Sequence, residues 1–155
     1  MVRLGYACIN MHLADRKITT NRSIQLKTFK AQGYQRCIEL AVQNAEDLYR
    51  VLEWNLNNGI LVYRVSSDII PWATEWLLDC KHLVELETSL ARAGKFAVQH
   101  GMRLSFHPGP FNCLGSPNMD VVKKTIADLE CHSLTMDMLE QPVNRLAKIN
   151  IHIGG

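Results

Sequence analysis

Three stretches of the chain carry apolar residues at helical spacing, and each is followed by a short run in which apolar and polar residues alternate. Ile38, Ala41, Ala45, Leu48 and Leu52 mark one helix within Cys37–Leu56, and the Asn57–Gly59 segment supplies a left-handed stop. Leu83, Leu86, Leu90, Ala93 and Ala97 mark a second, closed by Gln99–Gly101. The third takes Ser116 as its N-cap and Pro117 in its first turn, with Val122, Ile126, Leu129 and Met136 on one face. The runs that follow them are ILVYRVSS from Ile60, MRLSFH from Met102 and KINIHI from Lys148. With VRLGYAC at the start, the order is β-α-β-α-β-α-β, which predicts a parallel sheet with right-handed crossovers.

Two architectures have this order, a doubly wound sheet and a (β/α)8 barrel. Parallel strands covered on both faces read as continuous apolar runs. Here Met102, Leu104 and Phe106 alternate with Arg103, Ser105 and His107, and Ile149, Ile151 and Ile153 alternate with Asn150 and His152. Arg64 and Ser66 take the same polar parity beside Tyr63 and Val65. One face therefore packs on helices and the other is polar, as in strands that line a barrel holding a site. A half-exposed antiparallel sheet would explain the alternation but not the intervening helices. The expected fold is the α/β TIM-barrel type, with residues 1–155 forming one domain of four strands and three helices. An eight-stranded barrel takes about 250 residues, so the pattern corresponds to its N-terminal half or to a shortened relative.

Composition narrows the class of protein. Hydrophobic residues make up 47% and charged ones 21%, the balance of an ordinary globular domain. No apolar run is long enough to span a bilayer and the N-terminus has no signal-peptide pattern, so a cytoplasmic or nuclear location is expected. The five cysteines are odd in number and contain no Cys-x-x-Cys pair, which argues against a disulfide framework or a zinc finger. A net charge of +2 decides nothing about nucleic acid, because a local basic patch can carry the phosphate contacts.

Active sites of barrel enzymes lie where strands end and βα loops begin. His107 and His152 both occupy that position, with matching parity on neighbouring strands about 4.8 Å apart, so both imidazoles can reach one metal ion. The spacing is equally compatible with hydrogen-bonded rim histidines. After His107 the chain is stiffened by Pro108, Gly109, Pro110, Gly115 and Pro117, which would hold the histidine and project Phe111. An exposed aromatic on a rigid loop can wedge or stack between bases, or it can pack under its own loop.

At these positions the chain resembles the UV damage endonucleases. The matching words are RLGYACIN at Arg3–Asn10, TTNR at Thr19–Arg22, YRVSSDIIPW at Tyr63–Trp72, RLSFHPGPF at Arg103–Phe111, DLECH at Asp128–His132 and INIHIGG at Ile149–Gly155. The resemblance implies a metal-dependent barrel endonuclease of DNA repair, which nicks double-stranded DNA 5′ of UV lesions such as pyrimidine dimers. It further implies that His107 and His152 are two ligands of a cluster of divalent metal ions, with manganese the expected metal and zinc the alternative. Tyr6 and Asn10 match residues close to the lesion pocket. Pro110 and Phe111 stand where the family carries glutamine and an aromatic that probe the duplex, so the aromatic is kept and the hydrogen-bonding probe is lost. Two histidines do not complete a cluster that also needs carboxylates, which the family draws from the second half of its barrel.

Among the remaining residues, Arg64 and Arg103 are candidates for phosphate contact or for structural pairing, Asp68 for capping or for orienting a ligand alongside Ser66, and His132 for supporting the site from behind. Cys113 reads as a small buried thiol, His12, His82 and His100 as solvated, and Trp54, Trp72 and Trp76 as packing residues. Competing functions are abasic-site cleavage or sugar isomerisation on the same barrel, and a non-catalytic remnant that binds DNA or a partner chain. Unpaired edge strands make a homodimer, or a complementary half-barrel, the expected partner.

Overall fold

A computed structural model describes residues 2–81 and 83–152. The elements are β1 (Gly5–Ala7), α1 (Met11–Ala14), α2 (Leu26–Gln32), α3 (Gln35–Asn57), β2 (Val62–Arg64), two single 3₁₀ turns (Ala73–Glu75 and Leu77–Asp79), α4 (Val84–Gln99), β3 (Arg103–Phe106), α5 (Met119–Met138) and β4 (Lys148–Ile149). All neighbouring strands pair in parallel, in the spatial order β1-β2-β3-β4. A doubly wound sheet reverses direction at a switch point and places helices on both faces. Here the order never reverses, so right-handed crossovers put α3, α4 and α5 on one side, and the result is a partial TIM-barrel-like fold. The parallel pairing also rules out the antiparallel alternative.

The helix-covered face holds the core. Tyr63, Leu104 and Phe106 point into it with no more than 1% exposure, packed under Leu48 and Leu52 of α3 and Leu86 and Leu90 of α4. Gly59 and Gly101 end α3 and α4 at φ 70° and 62°, the left-handed stops read from the sequence. The third helix departs from expectation. Asn118 caps it by accepting from the Asp120 amide, while Ser116 and Pro117 remain in the preceding loop. Its buried side is Thr125, Cys131, His132, Thr135 and Met136, and Ile126 is 45% exposed. Threonines are tolerated there because Thr125 and Thr135 donate to the carbonyls one turn back, at 2.9 and 2.7 Å. The short helices α1 and α2 and the 3₁₀ turns add to the three helices of the sequence pattern. Ile153, expected in the fourth strand, and His82 lie outside the described residues.

Two tight contacts hold the helical layer. The TTNR word is a clamp: Arg22 bonds the Thr19 and Lys17 carbonyls and pairs with Asp47 at 2.6 Å, while Asn44 accepts from the Arg22 amide and donates to the Arg22 and Ile69 carbonyls. Asp47 also pairs with Arg50 at 2.8 Å, although its side chain is only 4% exposed. On the other side of the layer, α4 and the end of α5 approach so closely that a Cβ on Gly94 would lie 1.7 Å from the Leu139 carbonyl oxygen.

Two stability effects are expected from these contacts. Gly94→Ala must force α4 and α5 apart and should cost at least the 1–3 kcal/mol typical of overpacking, roughly, by thermal or urea denaturation. Asp47→Ala should cost about 3 kcal/mol, the lower end for breaking a buried ion pair, since both arginines keep some access to water. A change below about 0.5 kcal/mol in either variant would contradict the contact it tests.

Candidate metal and nucleic-acid site

The register of β3 against β4 builds the site. Phe106 pairs with Ile149 and Ser105 with Lys148, and the Asn150 amide donates to the Phe106 carbonyl at 2.9 Å, extending the ladder beyond β4. His107 therefore stands beside Asn150, and His152 follows two residues later on the same face. The two imidazoles lie with ring centroids 4.6 Å apart, tilted by 38°. His107 Nδ1 donates to the Asn150 carbonyl oxygen at 2.7 Å. A carbonyl can only accept, so this bond selects the Nδ1–H tautomer and leaves Nε2 as a free lone pair, the arrangement metal-ligating histidines commonly show.

The donor set fits part of a divalent-metal site. Two neutral imidazoles at this spacing can supply two nitrogen ligands to one ion. No group of three His, Cys, Asp or Glu residues is placed to hold a metal among the described residues. Glu75 and Glu130 are exposed on the first 3₁₀ turn and on α5, and Asp68 lies in the loop after β2.

The loop from Pro108 to Asn118 is fastened to α5 from beneath. Asn112 Nδ2 donates to Asp128 Oδ2 at 2.8 Å and to the Gly109 carbonyl at 3.2 Å, and the Cys113 amide donates to Thr125 Oγ1 at 3.0 Å. Cys113 is buried, in line with a structural thiol. Phe111, four residues after His107, is 90% exposed at the loop tip, and Pro110 beside it is also exposed. The ring does not pack under its own loop.

The other candidates fall in separate places. His132 is buried behind the sheet, edge-on to Phe106 at 5.2 Å, and its Nδ1 donates to the Asp128 carbonyl at 2.8 Å. Asp128 thus joins His132 to the Phe111 loop, a link the DLECH word gave no means of seeing. The polar face is open to neither group. Burial pushes the neighbouring Cys131 thiol up to about 11, with Asp128 and Glu130 adding to the effect, so it stays protonated. Ser66 accepts from the Asp68 amide at 3.3 Å, and Asp68, Asp128 and His132 line a cavity of about 280 Å³ between that loop and α5.

Tyr6 shares its register with Tyr63 and turns toward α3, away from the polar face. Its hydroxyl donates to Asn55 Oδ1 at 2.6 Å and accepts from Asn10 Nδ2 at 2.8 Å. Burial raises the Tyr6 hydroxyl above its ordinary range, and the bonds with Asn10 and Asn55 oppose the rise. Tyr6 and Asn10 are therefore brought to each other, beside Trp54 and His12, rather than to the histidine pair. Arg103 Nε donates to the Leu146 carbonyl at 2.9 Å, a structural bond. Trp72 stacks on Phe29 and donates to the Ile24 carbonyl at 2.9 Å, and Trp76 donates to the Pro71 carbonyl at 2.9 Å, so both are packing residues.

A one-directional parallel sheet with a polar face and histidines at adjacent strand ends defines a partial barrel of the TIM-like class. Its known relatives agree with that class. The family described as UV-endonuclease UvdE matches residues 2–155, and the chain belongs to this family. It is 35% identical over 99% of its length to the UV DNA damage endonuclease of Clostridium perfringens, and 36% identical over 99% to the UV-damage endonuclease of Schizosaccharomyces pombe. It covers 35% and 26% of those proteins, so it spans well under half of their length. The crystal structure of SacUVDE superposes on the whole chain with a TM-score of 0.84 at 28% identity, using 50% of that structure.

If His107 and His152 share an ion, each single change to alanine should weaken manganese or zinc binding by a comparable factor. The double change should add little, because the pair acts as one site. Manganese relaxation or titration calorimetry reads both, and wild-type affinity in either single variant would remove that residue from the site.

Proposed function

We propose that this chain carries part of the active site of a DNA repair endonuclease that uses divalent metal, manganese in the first place, to nick double-stranded DNA on the 5′ side of UV photoproducts. The observation that carries this is the imidazole pair at the ends of β3 and β4, with one tautomer held by a backbone carbonyl. The names of the relatives, UV DNA damage endonuclease and UV-damage endonuclease, support the choice of reaction and substrate. Bound divalent ions supply an activated hydroxide and neutralise charge on the scissile phosphate.

The residues have distinct parts in this scheme. His107 offers its Nε2 lone pair, and the His152 ring stands beside it as the second nitrogen ligand. Asn150 keeps the His107 ring oriented through its carbonyl. Asp128, held to Asn112, stiffens the loop that presents Phe111, whose exposed ring is available to enter the base stack where a distorted lesion opens it. Pro110 adds stiffness but offers no side-chain hydrogen bond, so discrimination at this point rests on shape and stacking. Tyr6 and Asn10, bonded to one another beside Trp54 on the α3 side, stand apart from the histidine pair and take no part in this scheme. The acidic ligands such a cluster needs are supplied by residues outside the described ones, in the same polypeptide or in a second chain.

A nicking assay on UV-irradiated supercoiled plasmid with manganese tests the proposal, run on this chain and on any longer form of the polypeptide. Relaxation of irradiated but not untreated plasmid by the longer form is expected, with little or none by the 155 residues alone. Cleavage of abasic plasmid only, or isomerisation of a sugar, would replace the proposed reaction with another. Phe111→Ala should weaken binding to a lesion duplex by roughly 1–3 kcal/mol, the range for a lost base stack, with the melting temperature unmoved because the ring is solvent-exposed. A large thermal shift with unchanged DNA affinity would make Phe111 a packing residue.

A further inference from the structure

The charged residues on the polar face of the sheet are all cationic. Its positions are Gly5 and Ala7 on β1, Val62 and Arg64 on β2, Arg103, Ser105 and His107 along β3, and Lys148, Asn150 and His152 along β4, with no aspartate or glutamate among them. The register sets Arg64, Ser105 and Lys148 in one row across three adjacent strands. The row lies one pleat, roughly 6.6 Å, below His107, and neighbouring strands are about 4.8 Å apart, so the two cations flank the serine from either side. On the β1 side the row ends in Ala7, whose small side chain leaves the space beside Arg64 open.

The row's cations are uncommitted. Arg64 Nε is buried without a hydrogen-bond partner among the described residues, and neither Arg64 nor Lys148 enters a salt bridge there. Arg103, one pleat lower, differs in being bonded to the Leu146 carbonyl. A buried guanidinium N–H without an acceptor is costly, and it persists where a ligand supplies the acceptor. A planar guanidinium fork, a hydroxyl and an ammonium arriving from three strands match the several oxygens of a tetrahedral anion better than the two of a carboxylate.

From this we infer that Arg64, Ser105 and Lys148 form a phosphate-binding row beneath the histidine pair, with Arg64 as its principal donor. It rests on the proposed nuclease function only for the source of the phosphate, which there is the DNA backbone. Arg64 is then a substrate-positioning residue, and Arg103 is a structural one despite sharing its face.

The test is a titration of the 155-residue chain with inorganic phosphate, followed by the arginine Nε–H resonances, alongside salt-dependent binding of a DNA duplex. Phosphate should shift the one Nε–H signal that disappears in Arg64→Gln. That variant should bind duplex about tenfold more weakly, with the slope of log affinity against log salt reduced by about one, whereas Arg64→Lys should keep most of the slope. Arg103→Gln should leave the slope unchanged. Arg64→Gln should melt at or above the wild-type temperature, because it removes an unpartnered buried group. A phosphate-insensitive signal, or a lowered melting temperature with an unchanged slope, overturns the inference and leaves the nuclease proposal standing. A phosphate-dependent shift in a chain that binds no duplex upholds the anion row and counts against DNA as its ligand.

Discussion

The alignment of β3 with β4 governs the strand ends. The Asn150 amide must bond the Phe106 carbonyl for the ladder to continue, and once it does, the Asn150 carbonyl lies within 2.7 Å of His107 Nδ1. A slip of one residue would turn His152 to the helix side and bring an isoleucine to the polar face, because side chains alternate with a period of two. The same alignment sets Lys148 beside Ser105, while the β2–β3 register sets Arg64 on its other side, so the histidine pair and the cations beneath it depend on two adjoining backbone ladders.

That alignment is protected by what lies behind the sheet. Phe106 is fully buried and meets the edge of His132, His132 bonds the Asp128 backbone, and the Asp128 carboxylate takes Asn112 from the loop that follows His107. The chain of contacts runs from one residue before His107 to the loop just after it. It fixes the histidine's backbone on both sides without any of these groups reaching the polar face. His132 thus braces the strand end from behind, and the rigidity of the loop comes from its bonds to α5 as much as from its prolines.

Elsewhere the polar interactions of the chain hold the scaffold together. The Arg22–Asp47–Arg50 cluster and Asn44 fasten the segment before α2 to α3, and Asn44 reaches on to the loop after β2. The polar chemistry of the Thr-Thr-Asn-Arg word is thus spent on anchoring a long connection, where backbone carbonyls without regular structure need donors.

Much of the fold was legible from periodicity. The helical spacing of Ile38 to Leu52 and Leu86 to Ala97, the glycine stops and the two-residue alternation around Leu104 and Phe106 each state a local preference that the tertiary structure obeys, since burying an apolar face is the largest driving force available. The face of α5 was not legible, because its buried side is made of threonines and a histidine whose polar groups are satisfied by carbonyls one turn back. His107 and His152 could be placed at strand ends by parity alone, but whether their rings meet depends on strand neighbourhood and register, which only the folded sheet sets. The same holds for the arginines. Arg64 and Arg103 have equal standing in the sequence, alternating with apolar neighbours on adjacent strands. Only the three-dimensional arrangement brings the Leu146 carbonyl to Arg103 and leaves Arg64 Nε buried without an acceptor among the described residues, because backbone acceptors distant in sequence are distributed by the path of the chain and not by the residue that needs them.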